Sequence, residues 1–253
     1  MHESSVLTFS SDAGVAARRE IFARLRTYAA SDDETERSLG LFVRGSLLAR
    51  FLAIDHIYRK IVALPGIVID LGTWRGQTAV LCENLRAIHE PLNFYRRIVC
   101  FDTFEGYSGF SERDRPTALH QDGTYDVGGN SYAEYLRQLL VLHEKSNAMG
   151  HNCGKHKVIE GDCRATLPEF FAEHGHETVA LAFFDLNSYD PTRQAFEAVW
   201  QRLVPGGIVA FWQLTRANVP AEGSVYAEQI LPAVPHKIHR SDFYPGLCFL
   251  EKT

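Results

Sequence analysis

Four short apolar runs divide the chain, and each ends at or beside an acid. They are IVIDL (67–71), RIVCFD (97–102), HKVIEG (156–161) and VALAFFD (179–185). A nearly unbroken run of Val, Ile, Leu and Phe suits a strand buried on both faces of a parallel sheet. Helical patterns separate the runs, over 76–89 and near 131–146. A third follows in DPTRQAFEAVWQRLVPGG (190–207). There Asp190 is expected to cap, Pro191 to take the first helical position, and Phe196, Val199, Trp200 and Leu203 to line one face. Next come a strand, IVAFWQL (208–214), a helix around 222–232, and strands near 236–240 and 247–252 joined by SDFYPG. The alternation predicts an α/β fold: a mostly parallel seven-stranded sheet, helices on both faces, and an antiparallel addition at one edge.

Before the first strand the pattern is helical. Ile21, Phe22, Leu25 and Tyr28 recur at helical spacing in 13–30, and SDDETER (31–37) is a polar break with helix-start chemistry. A second helix is expected over 45–63, from Leu48, Phe51, Leu52, Ile57, Tyr58 and Ile61. Pro65-Gly66 stops it. This divides the chain into an N-terminal helical addition (1–64) and a main domain (65–253). Residues 106–150 interrupt the alternation with a polar segment at the carboxyl end of a strand, where a substrate loop would lie.

Composition narrows the function classes. With 45% hydrophobic and 23% charged residues, 253 residues support one sizeable core. The net charge is -5 and the basic residues are not pooled, so neither a nucleic-acid nor an anionic-membrane partner is expected. No apolar stretch reaches the length of a membrane span, and MHESSVLTFSSD holds no long apolar signal region. Five cysteines without a CxxC pair argue against a disulfide framework and fit a reducing cytoplasm. His151, Cys153 and His156 in HNCGKH read as a solvated loop, since no second ligand pair accompanies them.

In open α/β sheets, ligands sit beyond the carboxyl ends of the strands. The turn there is VIDLGTWRGQ (68–77). A dinucleotide fingerprint, G-x-G-x-x-G, needs its middle glycine for the pyrophosphate. Counted from Gly72, that position holds Trp74 and the last holds Gln77. What remains is one tight turn and one close helix packing, with acids at the strand ends. Phosphate wants bases and N–H groups instead. A nucleoside-like ligand with a positive group and no phosphate fits, and S-adenosylmethionine has these features. The candidate cofactor residues are Asp70, Gly72, Thr73 and Gly76; Asp102, Thr103 and Phe104; Gly161, Asp162 and Cys163; and Asp185. Asp70 would attract the positive group, Asp102 accept from ribose and Asp162 from the adenine amine.

The segments PGIVIDLGTWRGQTA (65–79), FDTFEGY (101–107), VIEGDCRATLP (158–168), FFDLNSYDPT (183–192) and LVPGGIVAF (203–211) carry a resemblance. From about residue 36 to 251 the chain resembles the macrocin O-methyltransferase (TylF-like) family of natural-product sugar O-methyltransferases. The resemblance implies a Rossmann-like class I methyltransferase fold that binds S-adenosylmethionine, acting on a sugar, with a nucleotide-activated deoxysugar as one candidate, in antibiotic biosynthesis. The N-terminal helices are similar to the family's lid-like, dimer-forming addition, which implies a homo-oligomer. Arg44, in that addition, takes no specific role.

The chain departs from the family where the metal is held. Asp185 matches the first acid of the family's L-D-G-D motif, a metal ligand. The second acid, the family's proposed base, is Asn187 here, and the later D-D pair is Trp212 and Gln213. Trp cannot ligate, and neutral amide oxygens bind Mg²⁺ weakly without a carboxylate cluster. A metal-independent variant is expected. The acceptor proton then needs a side-chain base. Asp185 is the first candidate, with Asn187 orienting the hydroxyl. His120 in the insertion is the second. Trp212, Tyr189 and Phe104 are core aromatics that as a group could stack on a sugar or adenine. Three alternatives stay open: a non-sugar acceptor, a non-catalytic cofactor-binding relative, and an NAD enzyme.

Overall fold

The strands form one seven-stranded sheet in the order β3-β2-β1-β4-β5-β7-β6. They are β1 (Ile67–Leu71), β2 (Ile98–Asp102), β3 (Lys157–Glu160), β4 (Val179–Phe184), β5 (Leu203–Phe211), β6 (His236–Arg240) and β7 (Cys248–Lys252). The structure is a computed structural model that describes residues 11–117, 120–147 and 153–253. β1 to β5 run parallel; β7 is antiparallel to both β5 and β6, so the closing hairpin makes the antiparallel addition at the edge.

Eight α-helices are described: α1 (Asp12–Arg26), α2 (Asp32–Ser38), α3 (Gly45–Ile61), α4 (Gln77–His89), α5 (Asn130–Asn147), α6 (Cys163–Glu173), α7 (Tyr189–Arg202) and α8 (Ala221–Val225). None is long and apolar enough to cross a membrane. The pleat sends alternate side chains to opposite faces and so builds two cores. Ile67, Ile69 and Leu71 of β1 pack with α6 and α7, through Leu167, Phe170, Phe196 and Val199. Val68 packs the other way, with α3, α4 and α5, against Ile54, Ile57, Cys82 and Leu136. Each large apolar side chain buried there contributes about 1.5–3 kcal/mol.

The same parity places the acids. Ile98 and Cys100 of β2, Phe183 of β4 and Ala210 of β5 face the α3–α5 core. Two residues on from Cys100, Phe183, Ala210 and Val68 stand Asp102, Asp185, Trp212 and Asp70, in that order. All four therefore emerge on one face at the carboxyl end of the sheet.

Several boundaries differ from the sequence expectation. Helix 13–30 stops at Arg26, and a capping box between Ser31 and Glu34 starts α2. β5 begins at Leu203, five residues early, because Leu203 pairs with Val179 of β4 ahead of an irregularity at VPGG, and it ends at Phe211. The helix expected over 222–232 is α8 followed by a π turn, Tyr226–Ile230. α7 begins at Tyr189, not at Pro191. Asp114, from the insertion, accepts the Tyr189 N–H at 2.6 Å and supplies the acceptor expected of Asp190.

His156 also differs. His151 lies outside the described residues, but the His156 side chain is only 1% exposed. Its Nδ1 accepts the Ile98 N–H at 3.0 Å, and its Nε2 lies 2.9 Å from Glu83. It ties β2 to α4 and is not part of a solvated loop. Among the described residues, no group of three or more His, Cys, Asp and Glu could hold a metal ion.

Candidate active site

The β1–α4 turn is the floor of the site. Gly72 has φ +76, and a Cβ there would sit 2.5 Å from the Asp185 carbonyl oxygen. Only glycine lets the ends of β1 and β4 approach so closely. Gly76 has φ +80, and its missing Cβ makes room for Leu136 of α5. The Trp74 N–H, which a phosphate-binding turn would aim at its ligand, donates to Asp102 Oδ2 at 2.6 Å. Asp102 Oδ1 accepts the Phe104 N–H at 2.7 Å. Burial raises the Asp102 pKa, and these N–H groups oppose the rise. The turn is thus closed by a carboxylate of its own chain.

Non-glycine residues with left-handed backbone gather here. Trp74 (φ 50), Phe104 (φ 57) and Asn187 (φ 58) each lie just past β1, β2 or β4. Such conformations cost energy and concentrate at functional sites.

Asp70 is buried, and its Oδ2 has no hydrogen-bond partner among the described residues. Its pKa rises to about 7. Burial is the main cause, Asp185 and Asp102 add to it, and Arg50 opposes it. Thr73 donates from Oγ1 to the Asp70 carbonyl at 2.9 Å. Thr103 donates to the Gly106 carbonyl at 2.7 Å and shapes the next turn. Gly161 donates its N–H to the Asp102 carbonyl at 2.9 Å. Asp162 caps α6 by accepting the Arg164 N–H at 2.9 Å, and it pairs with the Arg164 guanidinium. Cys163 is buried, which pushes its thiol up to about 12. A cavity of about 300 Å³ opens between α6 and α7, lined by Cys163, Arg164, Gln194 and Gln201; it holds none of the strand-end acids.

Asp185 is the centre of a donor ring. Asn187 Nδ2 donates to its Oδ1 at 3.1 Å and to the Tyr107 hydroxyl at 2.8 Å. Gln213 Nε2 donates to Oδ1 at 3.4 Å, and the Arg50 guanidinium lies 3.8 Å from Oδ2. His120 stacks on Tyr107, ring centroids 6.0 Å apart. Burial lowers the His120 pKa, Arg216 lowers it further and Asp185 opposes both. The insertion therefore delivers His120 to the same site as Asp185. The three aromatics do not form one group. Phe104 is core beside Tyr132, and Tyr189 packs on the opposite face of the sheet. Only Trp212 borders the donor ring, beneath Arg50.

Sequence reasoning missed Arg50, Tyr107 and Glu222. Arg50 continues the buried stripe of α3 at i, i+3, i+4 and i+7 with Ala53, Ile54 and Ile57. A lone charge inside LLARFLAI was the available signal. Arg44 instead is the N-cap residue of α3 and bonds Ser46. Glu222 is buried; it accepts the Gln213 N–H at 2.6 Å, and burial holds its pKa well above the ordinary value. Buried polar atoms without a partner cluster in this group: Arg50 Nε, Asp70 Oδ2, Asn187 Oδ1, Trp212 Nε1, Gln213 Oε1 and Glu222 Oε1. Such atoms require partners, and together they mark a polar ligand site.

Known proteins share this fold. The crystal structure of CalS11, a calicheamicin methyltransferase, matches with a TM-score of 0.89 and 30% sequence identity, covering 99% of this chain and 97% of that one. The apo structure of CalS11, described as a TDP-rhamnose 3'-O-methyltransferase of calicheamicin biosynthesis, gives 0.81 and 28%, covering 97% and 96%. The O-methyltransferase NovP, at 17% identity and a TM-score of 0.60, covers 81% of this chain and 80% of its own and shares the fold. No curated protein sequence matches. The methyltransferase-domain family model matches residues 69–211, more than half of the chain. The chain belongs to the methyltransferase-domain family, as an S-adenosylmethionine-dependent O-methyltransferase.

Proposed function

We propose that the enzyme methylates a hydroxyl of a nucleotide-activated sugar in antibiotic biosynthesis. One observation carries this reading: the likeness to the CalS11 sugar methyltransferase at 30% identity runs over 99% of the chain, N-terminal helices and insertion included. S-adenosylmethionine, when bound, supplies an electrophilic methyl group. Around it we assign Asp70 to the ammonium group, through its partnerless Oδ2. Asp102 takes the ribose hydroxyls with the lone pairs that Trp74 and Phe104 leave. Asp162 reaches the adenine amine with the lone pairs that Arg164 leaves.

Asp185 is the proposed base. It stands one residue past β4, beside Gly72, with two amides fixing one oxygen. His120 is the second candidate, since a lowered pKa keeps it neutral and able to accept a proton. The residues around Asp185 do not suit a divalent ion. Asp185 is met by two amides whose N–H groups face it and by a guanidinium that lies on a donor-only indole, and burial raises the pKa of the neighbouring Asp70 and Glu222 carboxyls. The proposed reaction is therefore metal-independent. Of the N-terminal helices, α3 packs on α4, β4 and β5 and brings Arg50 to Asp185.

The test is mass spectrometry of a panel of TDP-sugars, TDP-rhamnose among them, incubated with enzyme and S-adenosylmethionine. A mass gain of one methyl group on a sugar is expected. Cofactor binding without any methylated sugar would sink the sugar reading.

A further inference from the structure

We infer that Arg50 supplies the positive charge at the acceptor oxygen, held in place by the face of Trp212. The inference rests on the methyl-transfer reading above. The Arg50 guanidinium carbon lies 3.7 Å from the Trp212 ring centroid. Its Nη2 lies 3.8 Å from Asp185 Oδ2 and 3.4 Å from Thr78 Oγ1. Its Nε is buried and has no hydrogen-bond partner among the described residues. Thus the cation is stacked and flanked by the proposed base, and it keeps an N–H to give.

Neither half of the pair moves freely. Trp212 is fully buried, stacked at 21° on Phe183 and edge-on to Tyr244. Arg50 rides on α3, whose Ala53, Ile54 and Ile57 are fully buried in the core. An indole offers a metal nothing, but its face holds a guanidinium. Of the two residues that depart from the family's carboxylate pair, Trp212 is the one that seats this arginine.

The chemistry balances without another reagent. The acceptor hydroxyl proton passes to the Asp185 carboxylate. The oxygen forms a bond to the methyl carbon as the carbon–sulfur bond breaks, and that electron pair stays on sulfur. Sulfonium and carboxylate charges cancel to give thioether, ether and carboxylic acid. While the proton leaves, negative charge builds on the acceptor oxygen. A preorganised cation at that point stabilises the transition state more than the ground state. Arginine suits the task because it stays charged beside the base.

The test uses the full chain with S-adenosylmethionine and TDP-rhamnose, and the variants Arg50→Ala, Arg50→Lys, Trp212→Leu and Arg50→Ala/Trp212→Leu. Arg50→Ala is expected to lower kcat about a hundredfold. Cofactor affinity by calorimetry should stay within about threefold. Added guanidinium should restore part of the rate, and Arg50→Lys should keep part of it. The double variant should be no slower than Arg50→Ala, since the two residues act as a unit. Mn²⁺ alone, followed by electron paramagnetic resonance, should show no saturable binding to the wild type. Three results would each overturn the inference: an Arg50→Ala kcat within about threefold of wild type; a cofactor affinity that falls as far as kcat; or saturable Mn²⁺ binding that Asp185→Asn abolishes. If the wild type leaves TDP-rhamnose unmethylated, that sugar assignment fails. The Arg50 comparisons then use whichever TDP-sugar of the panel gains a methyl group, and the same limits on kcat and affinity apply.

Discussion

Asp102 accepts the backbone N–H of Trp74 at 2.6 Å, and that bond spans two turns of the sheet. The carboxylate does for the turn what a bound phosphate does in a dinucleotide fold. Asp102→Ala removes the acceptor of two backbone N–H groups at once, Trp74's exposed and Phe104's part-buried, each bond worth about 1.5–3 kcal/mol. Cofactor affinity should fall at least about tenfold, and the melting temperature should drop. Calorimetric titration with S-adenosylmethionine measures the first. An unchanged affinity would remove Asp102 from the cofactor site.

Asp185→Asn keeps the shape of the donor ring and deletes the proton acceptor. Turnover should fall at least about a hundredfold while cofactor binding persists. Single-turnover kinetics read the chemical step directly. Near wild-type turnover would hand the role to His120, which His120→Ala then checks.

The proposed contact between Asp70 and the ammonium group makes cofactor binding depend on pH. Its carboxyl is raised to about 7 in the fold by burial first and by its acidic neighbours second. The folded chain therefore holds a proton that the unfolded chain releases from about pH 4 upward. Stability from this group is complete below the ordinary carboxyl range and is lost as pH rises through about 7. The ionised form is the one that attracts an ammonium group. S-adenosylmethionine affinity should thus rise from roughly pH 6 to roughly pH 8, and Asp70→Asn should flatten the rise. A slope that survives Asp70→Asn would contradict the assignment.

Gly72→Ala places a methyl group 2.5 Å from the Asp185 carbonyl oxygen, at a φ of +76. The strain costs about 1–3 kcal/mol. The variant should fold with a lower melting temperature and lose most turnover, because β1 and β4 must part. Full activity would show that the close approach is dispensable.

Chelation should leave the rate alone. The groups at Asp185 are a guanidinium, two amides and an indole, so EDTA has nothing to withdraw from them. Initial rates with and without EDTA make the comparison. A collapse restored by Mg²⁺ would reverse this reading.

The legible parts of the sequence were those governed by one local rule. IVIDL matched β1 residue for residue because a parallel strand buried on both faces needs only an apolar run. The acids declared themselves because they close such runs. The boundaries that moved depend on distant partners. α7 starts where Asp114, some distance back in the chain, meets Tyr189 N, and β5 starts in LVPGG because β4 lies beside it. His120 was legible as a titratable residue in a substrate loop. Glu222 was not, because its importance comes only from burial against Gln213. Arg50 lay between, visible as a charge on an apolar helix face, but its partner Trp212 is remote in sequence.

The contact between Asp114 and Tyr189 N ties two events together. The insertion carries Tyr107 and His120 to the site, and its Asp114 caps the start of α7. Lifting it away exposes the first amide of α7 to solvent. Solvent exchange at Tyr189 N would therefore report any separation of the insertion from α7.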